Sequence, residues 1–156
     1  MTRAYVGIGS NIEPEQNVRS AVRALRKRFG TLSISPVYRS TAHGFPGDDF
    51  YNLVIGFDAA EPSATITAAL KDIERDHGRV RYGDGMHSRT LDLDLLIHGE
   101  AVLDDSVTRY GFVLKPLADL APTLRHPTLQ RSYKDLWEHF NGKRGALTPI
   151  VLEPPL

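Results

Sequence analysis

Cysteine is absent from this 156-residue chain, so neither a disulfide nor a thiolate metal site can stabilise it. Net charge is absent too, because 19 Lys and Arg balance 19 Asp and Glu. A general nucleic-acid-binding domain carries a basic excess, and this chain has none. Apolar runs extend over only a few residues, so no membrane-spanning helix is expected. Residues 1–9 lack the charged and apolar regions of a signal peptide, and a cytoplasmic protein is the expectation. Familiar phosphate and metal signatures are missing as well. There is no G-x-x-x-x-G-K-[ST] loop and no H-E-x-x-H, and the six histidines are scattered, which sets aside P-loop chemistry and zinc hydrolysis. Gly7 and Gly9 make only a fragment of a Gly-rich loop, which a tight turn also explains.

The residues that are present describe one domain. The length suits a single core, and residues 1–156 are expected to form one unit. Residues 4–8 are apolar and lead into Gly9-Ser10-Asn11, a strand followed by a turn. Pro14 suits the first turn of a helix. Val18, Ala21, Val22, Leu25 and Phe29 then form one helical stripe that Gly30 can end. Residues 31–38 alternate as a strand, residues 39–50 read as a Gly/Pro/Asp loop, and residues 51–57 return to strand character. Ser63 opens a second helix with Ile66, Leu70 and Ile73 inside, and Gly78 stops it. Residues 80–88 form a second polar loop, and residues 91–97 are the clearest strand. The order is βαββαβ, an α+β pattern like the ferredoxin-like fold, with an antiparallel sheet and helices. In the tail, Phe112, Val113 and Leu114 read as a short strand and residues 116–120 as a helical turn. Residues 132–140 read as a helix capped by Ser132, so the domain carries a C-terminal helical extension.

The most informative stretch is RTLDLDLL, residues 89–96. In a strand, Leu91, Leu93 and Leu95 share one face, while Asp92 and Asp94 share the other, roughly 6–7 Å apart. Strand interiors disfavour aspartate, and two carboxylates on one face repel. A hard divalent cation offsets that cost, and Mg²⁺ accepts one or two carboxylates beside water and phosphate oxygens. Arg79, Arg81 and Arg89 flank the preceding loop, and guanidinium forks bind phosphate oxygens in pairs. Cations for phosphates beside carboxylates for a metal are the two halves of a phosphoryl-transfer site. The plainer alternatives are a solvent-facing sheet surface with two ordinary charges, or Arg–Asp pairing on that surface.

YVGIGSN (residues 5–11), YRS (38–40), FYN (50–52), GRVR (78–81), RTLDLDLL (89–96), FVLKPL (112–117) and AP (121–122) together resemble the 6-hydroxymethyl-7,8-dihydropterin pyrophosphokinase family, to about residue 127. The resemblance implies a ferredoxin-like fold and transfer of pyrophosphate from ATP to the hydroxymethyl group of a dihydropterin, with release of AMP. It implies two Mg²⁺ ions on Asp92 and Asp94, and phosphate grips at Arg79 and Arg89. Further nucleotide contacts are implied at Glu74, Arg81, Leu95 and Arg109. For the pterin it implies stacking on Phe50 and Phe112 and recognition by Asn52, with Ser40 and His43 completing the pocket. Residues 39–50 and 80–88 would then be lids over the site.

Three departures from the family stand out. Met86 and Ser88 replace its usual tryptophan and proline. Ser40-Thr41-Ala42-His43 replaces a proline-containing stretch. Residues 102–112 are short and lack a Pro-His pair with its basic neighbours. These leave two other readings open: a relative acting on a different heterocyclic alcohol, and a non-catalytic pterin-binding protein.

Overall fold

A computed structural model describes residues 1–40, 49–78, 91–142 and 147–156. Seven strands and five helices are described, in the order β1 (Thr2–Ser10), α1 (Pro14–Phe29), β2 (Ser33–Ile34), β3 (Val37–Ser40), β4 (Phe50–Ala59), α2 (Ser63–Asp76), β5 (Asp92–His98), β6 (Ala101–Val102), α3 (Ser106–Arg109), α4 (Gly111–Leu120), α5 (Tyr133–Glu138) and β7 (Thr148–Ile150). The strands lie in one sheet in the order β6-β5-β1-β4-β3-β7, with β2 also on β4. Every described pairing is antiparallel.

The sequence signals account for most of these elements. Pro14 opens α1, Gly30 at φ +86° closes it, and Arg26, Lys27 and Arg28 fill its last turn, where cations suit the helix dipole. The stretch expected as one strand over residues 31–38 is divided in two. Pro36 has no N–H for the ladder. Beside it the Ser35 Oγ accepts from Val54 N at 2.9 Å, so the bond to β4 that the break would orphan is kept. His77 closes the end of α2 against α1 through Ser20 Oγ, 2.8 Å from its Nε2.

Two apolar clusters sit on opposite faces of the sheet. Alternate residues of β1, β4 and β5, among them Val6, Ile55 and Leu93, pack against Val22 and Leu25 of α1 and Ile66 and Leu70 of α2. On the other face Tyr5, Val54 and Leu96 pack against Leu114 and Leu117 of α4, Val107 of α3 and Tyr133 of α5. A bulge on β5, where Val6 pairs with Leu95 and Tyr5 with Ile97, inserts Leu96 and lets β5 serve both clusters.

The tail corrects the sequence reading at one point. Phe112, Val113 and Leu114 do not form a strand; they are the first turns of α4. A Phe-Val-Leu triplet has strand propensity, but Leu114, Leu117, Ala118 and Ala121 recur at helical spacing and are all buried. The longer period wins over the local preference. Ser132 caps α5 as expected, its Oγ accepting from Asp135 N at 3.1 Å. Beyond the helices the chain returns to the sheet, where β7 covers the outer edge of β3.

Candidate active site

The first apolar cluster fixes which way the two aspartates face. Leu91, Leu93 and Leu95 are all buried against the α1/α2 side. Strand alternation therefore turns Asp92 and Asp94 to the opposite face, where Asp92 is half-buried and Asp94 exposed. Both expected metal ligands thus share a face, as the sequence pattern requires.

The register lays the rest of the site across neighbouring strands. Asp92 on β5 pairs with Gly9 on β1, Gly9 pairs with Asn52 on β4, and Asn52 pairs with Tyr38 on β3. One step along, Asp94 pairs with Gly7 and Gly7 with Val54. The carboxylate strand and the Asn52 strand are therefore two strand spacings apart, roughly 10 Å. Glycine alone makes the floor between them. A Cβ on Gly9 would lie 3.0 Å from Asn52 Oδ1 and 3.9 Å from Phe50, and one on Gly7 would meet Leu96 at 3.4 Å. At Gly9 close approach, not a turn, favours glycine, whereas the contact at Gly7 is an ordinary one, and Gly9 is the feature of the candidate site that the sequence reading missed. The signal was present in the spacing Gly7-x-Gly9 opposite Asp92-x-Asp94, which only the register brings together.

Asn52 and Ser40 form the polar corner of this surface. Both are buried, and Asn52 Nδ2 donates to Ser40 Oγ at 2.9 Å. That bond orients the amide and leaves its oxygen toward Gly9. Phe50 stands on the same strand face as Asn52, two residues earlier. Phe112 is on the first turn of α4, stacked on Tyr110 with ring centroids 5.1 Å apart. Gly111 beside it lies against Leu147, next to Thr148, which pairs with Arg39. The start of α4 therefore sits at the Ser40 end of β3.

The other expected positions fall in different surroundings. The side chain of Leu95 belongs to the α1/α2 cluster, so any contact it makes with a nucleotide runs through its backbone. Glu74 is buried, and its Oε2 accepts from Leu93 N at 2.7 Å, bracing the outer edge of β5 just where the aspartates begin. Arg109 ends α3, with its guanidinium 5.4 Å from the Tyr110 ring and an ion pair to Asp105 at 3.4 Å. Arg79, Arg81, Arg89 and His43 lie outside the described residues, as do Met86, Ser88 and most of the two loops expected to act as lids.

The donor set suits a hard cation bound by few protein ligands. Among the described residues no group of three or more His, Cys, Asp or Glu is placed to hold a metal. Two carboxylates on one strand face are what Mg²⁺ takes when phosphate and water complete its shell. No helix among the described residues is long and apolar enough to cross a membrane.

Comparison with known proteins points the same way. Residues 5–122 match the family described as 7,8-dihydro-6-hydroxymethylpterin-pyrophosphokinase. A 2-amino-4-hydroxy-6-hydroxymethyldihydropteridine pyrophosphokinase of Pseudomonas aeruginosa is 40% identical over 141 residues, covering 80% of this chain and 84% of that protein. The protein of the same name from Synechocystis is 33% identical, over 76% of this chain and 66% of that one. Among solved structures, a Plasmodium falciparum HPPK-DHPS with pterin and p-hydroxybenzoate superposes with a TM-score of 0.79 over 97% of this chain, at 12% identity. The chain spans about half of that longer protein, 47% of its length, and at this identity the likeness speaks for the fold. The match covers β1, β4, the aspartate strand and α4, which are the elements that build the glycine-floored surface, and the chain belongs to the 7,8-dihydro-6-hydroxymethylpterin-pyrophosphokinase family.

Proposed function

We propose that this chain carries out its family's reaction on the glycine-floored face of the sheet. It transfers pyrophosphate from ATP to the hydroxymethyl group of 6-hydroxymethyl-7,8-dihydropterin, a step of folate synthesis. The hydroxyl oxygen bonds to the β-phosphorus of ATP, the bond from that phosphorus to the α–β bridging oxygen breaks, and AMP leaves. The observation that carries this reading is the row Asp92, Gly9, Asn52 in register across three strands.

Each end of that row has a distinct task. Asn52, oriented by Ser40, accepts from the N–H groups of the pterin edge, and the Phe50 and Phe112 rings hold its flat faces. Stacking of this kind adds on the order of 0.5–1.5 kcal/mol beyond burial, enough to select a flat heterocycle. Gly9 keeps the space between the two ends open, so the hydroxymethyl arm reaches across toward β5. Asp92 and Asp94 would hold the two Mg²⁺ ions there, and bound metal would neutralise phosphate charge and lower the cost of deprotonating the attacking hydroxyl. Arg79, Arg81 and Arg89 grip the phosphates. Glu74 keeps the β5 edge in place through Leu93 N, with Leu95 and Arg109 on the nucleotide side.

The four strands β5-β1-β4-β3, with α1 and α2 on one face, make a ferredoxin-like βαββαβ core in which β2 and β3 count as one interrupted strand. We read residues 1–156 as one such domain, and the segment after β6 as a helical extension that roofs part of the opposite face.

The test is AMP release from ATP and Mg²⁺ with a panel of heterocyclic alcohols. The reading requires AMP with 6-hydroxymethyl-7,8-dihydropterin. ADP in its place would mean transfer of a single phosphoryl group, AMP only with another alcohol would assign the protein to a different acceptor, and pterin binding without turnover would make it non-catalytic.

A further inference from the structure

Outside the row already described, one polar group on the same face joins three elements. The Tyr38 hydroxyl, on a side chain only 7% exposed, donates to Asp119 Oδ2 near the end of α4. The other oxygen of that carboxylate accepts from Lys115 Nζ at 2.8 Å. The Lys115 ammonium in turn lies 5.6 Å from the Trp137 ring of α5. One carboxylate thus ties β3, α4 and α5 together. Burial raises the Tyr38 hydroxyl pKa well above the usual tyrosine range, and the bond to Asp119 adds to the shift, so this phenol stays a donor.

Both ends of the link lead to the pterin surface. Tyr38 precedes Ser40 by two residues on β3, so the two side chains share a face. Phe112, Lys115 and Asp119 recur at i, i+3 and i+7, so they share one side of α4. Phe112 is seven residues from Asp119, roughly 10 Å along the helix axis. The first turn of α4 points toward the Ser40 end, because Gly111 lies against Leu147 beside the β7 strand that pairs with β3. β3 is continuous over its length, and α4 runs as one helix through Pro116, which has no N–H for the Phe112 carbonyl. A shift at Asp119 therefore tilts the turn that carries Phe112 relative to the strand that carries Ser40.

We infer that Tyr38 and Asp119 are positioning residues that set the width of the pterin slot between Phe112 and the Ser40–Asn52 corner. The inference rests on the assignment of Phe112 and Asn52 to the pterin made under Proposed function. It predicts a dependence that a fold-stabilising hydrogen bond would lack: the effect of losing the Tyr38 hydroxyl runs through Phe112.

A double-mutant cycle tests this in the full chain, with 6-hydroxymethylpterin as a fluorescent probe titrated in the presence of Mg²⁺ and a non-hydrolysable ATP analogue. Tyr38→Phe is expected to weaken probe binding roughly tenfold while the affinity for the analogue is unchanged. Phe112→Leu is expected to weaken the probe as well, and the double variant to bind no worse than the weaker single variant. Effects that multiply in the double variant overturn the positioning role and leave the slot intact. Normal probe binding by Phe112→Leu removes Phe112 from the slot, and the positioning role falls with it. If Tyr38→Phe does not fold, Asp119→Ala is carried through the same cycle with the same criterion, since it removes the carboxylate that Tyr38 and Lys115 share.

Discussion

On the face covered by α1 and α2, the inward residues of the central strands are apolar: Val6 and Ile8 of β1, Leu53, Ile55 and Phe57 of β4, Leu93 and Leu95 of β5. On the opposite face the same three strands carry Gly7 and Gly9, Asn52, Asp92 and Asp94 before turning apolar again at Tyr5, Val54 and Leu96 under α4. One face is built for closure, and on the other, among the described residues, one end is roofed by α4 while the end that carries the polar row, called open below, has no helix over it. Because side chains alternate along a strand, here everywhere but at the β5 bulge, the two programmes can be written into one sequence without interfering. A substitution on the closed face should then cost stability and spare chemistry, and one at the open end should do the reverse.

Phe57→Ala probes the closed face and carries the largest expected effect. Phe57 is fully buried and stacks on Phe29 at the end of α1, with ring centroids 4.2 Å apart. Removing a ring from such a site costs about 3–5 kcal/mol. Urea unfolding should show that loss, while the fraction that remains folded turns over at close to the parent rate. A loss below about 1 kcal/mol would mean that the site collapses to fill the space, and the closed face is then less rigid than its packing implies.

Asp94→Ala is the matching experiment at the open end. Asp94 is exposed on a strand whose pairing does not depend on its side chain. Stability should fall by far less than in Phe57→Ala, about 1 kcal/mol or less, because an exposed side chain leaves no cavity and its polar contacts are weak in water. Turnover should fall by at least ~10²-fold, because a metal ligand is lost. Near-normal kcat would refute the metal role, and a large stability loss would erase the contrast between the faces.

The contrast also explains how much was legible in the sequence. The period-2 pattern of residues 91–95 placed the leucines on one face and the aspartates on the other, and in the structure the leucine face is the one buried under α1 and α2. The α1 and α2 stripes were equally plain, because their apolar residues repeat at helical spacing with Pro14 and Gly30 marking the ends of α1. What stayed hidden was non-local. Gly9 reads as a turn residue until the register sets it between Asp92 and Asn52. Phe112 reads as strand because its neighbours are β-branched and apolar, and only the burial of Leu117 and Ala118 behind it makes the helix. Thr148, Pro149 and Ile150 form a strand only because β3 offers them an edge. Side-chain period is local and survives in sequence; pairing partners are not, and must be supplied by the fold.

Tyr133→Phe sharpens the comparison within the second face, and its expected effect is the smallest. Tyr133 is fully buried under the roofed end, and its hydroxyl has no hydrogen-bond partner among the described residues. At the open end the comparable buried polar groups, Asn52 and Ser40, satisfy each other. An unpartnered buried hydroxyl is unfavourable in the native state, so its removal should leave stability near neutral pH unchanged or raise it by up to about 1 kcal/mol. Burial also pushes this hydroxyl up to about 12, whereas a tyrosine in the unfolded chain titrates near 10. The unfolded chain therefore loses its proton first as pH rises. The stability tied to the neutral phenol is complete below about pH 10 and is lost as pH climbs from about 10 toward about 12. Tyr133→Phe removes that one group and leaves the other tyrosines in place. Its advantage over the parent chain, read as the difference in urea midpoints, should be small near pH 7 and should widen at about pH 11. A difference that stays constant across that range would mean the Tyr133 hydroxyl ionises as readily in the native state as in the unfolded one. The roofed end would then admit water or a counter-charge, and it would have to be counted with the open end rather than with the closed face.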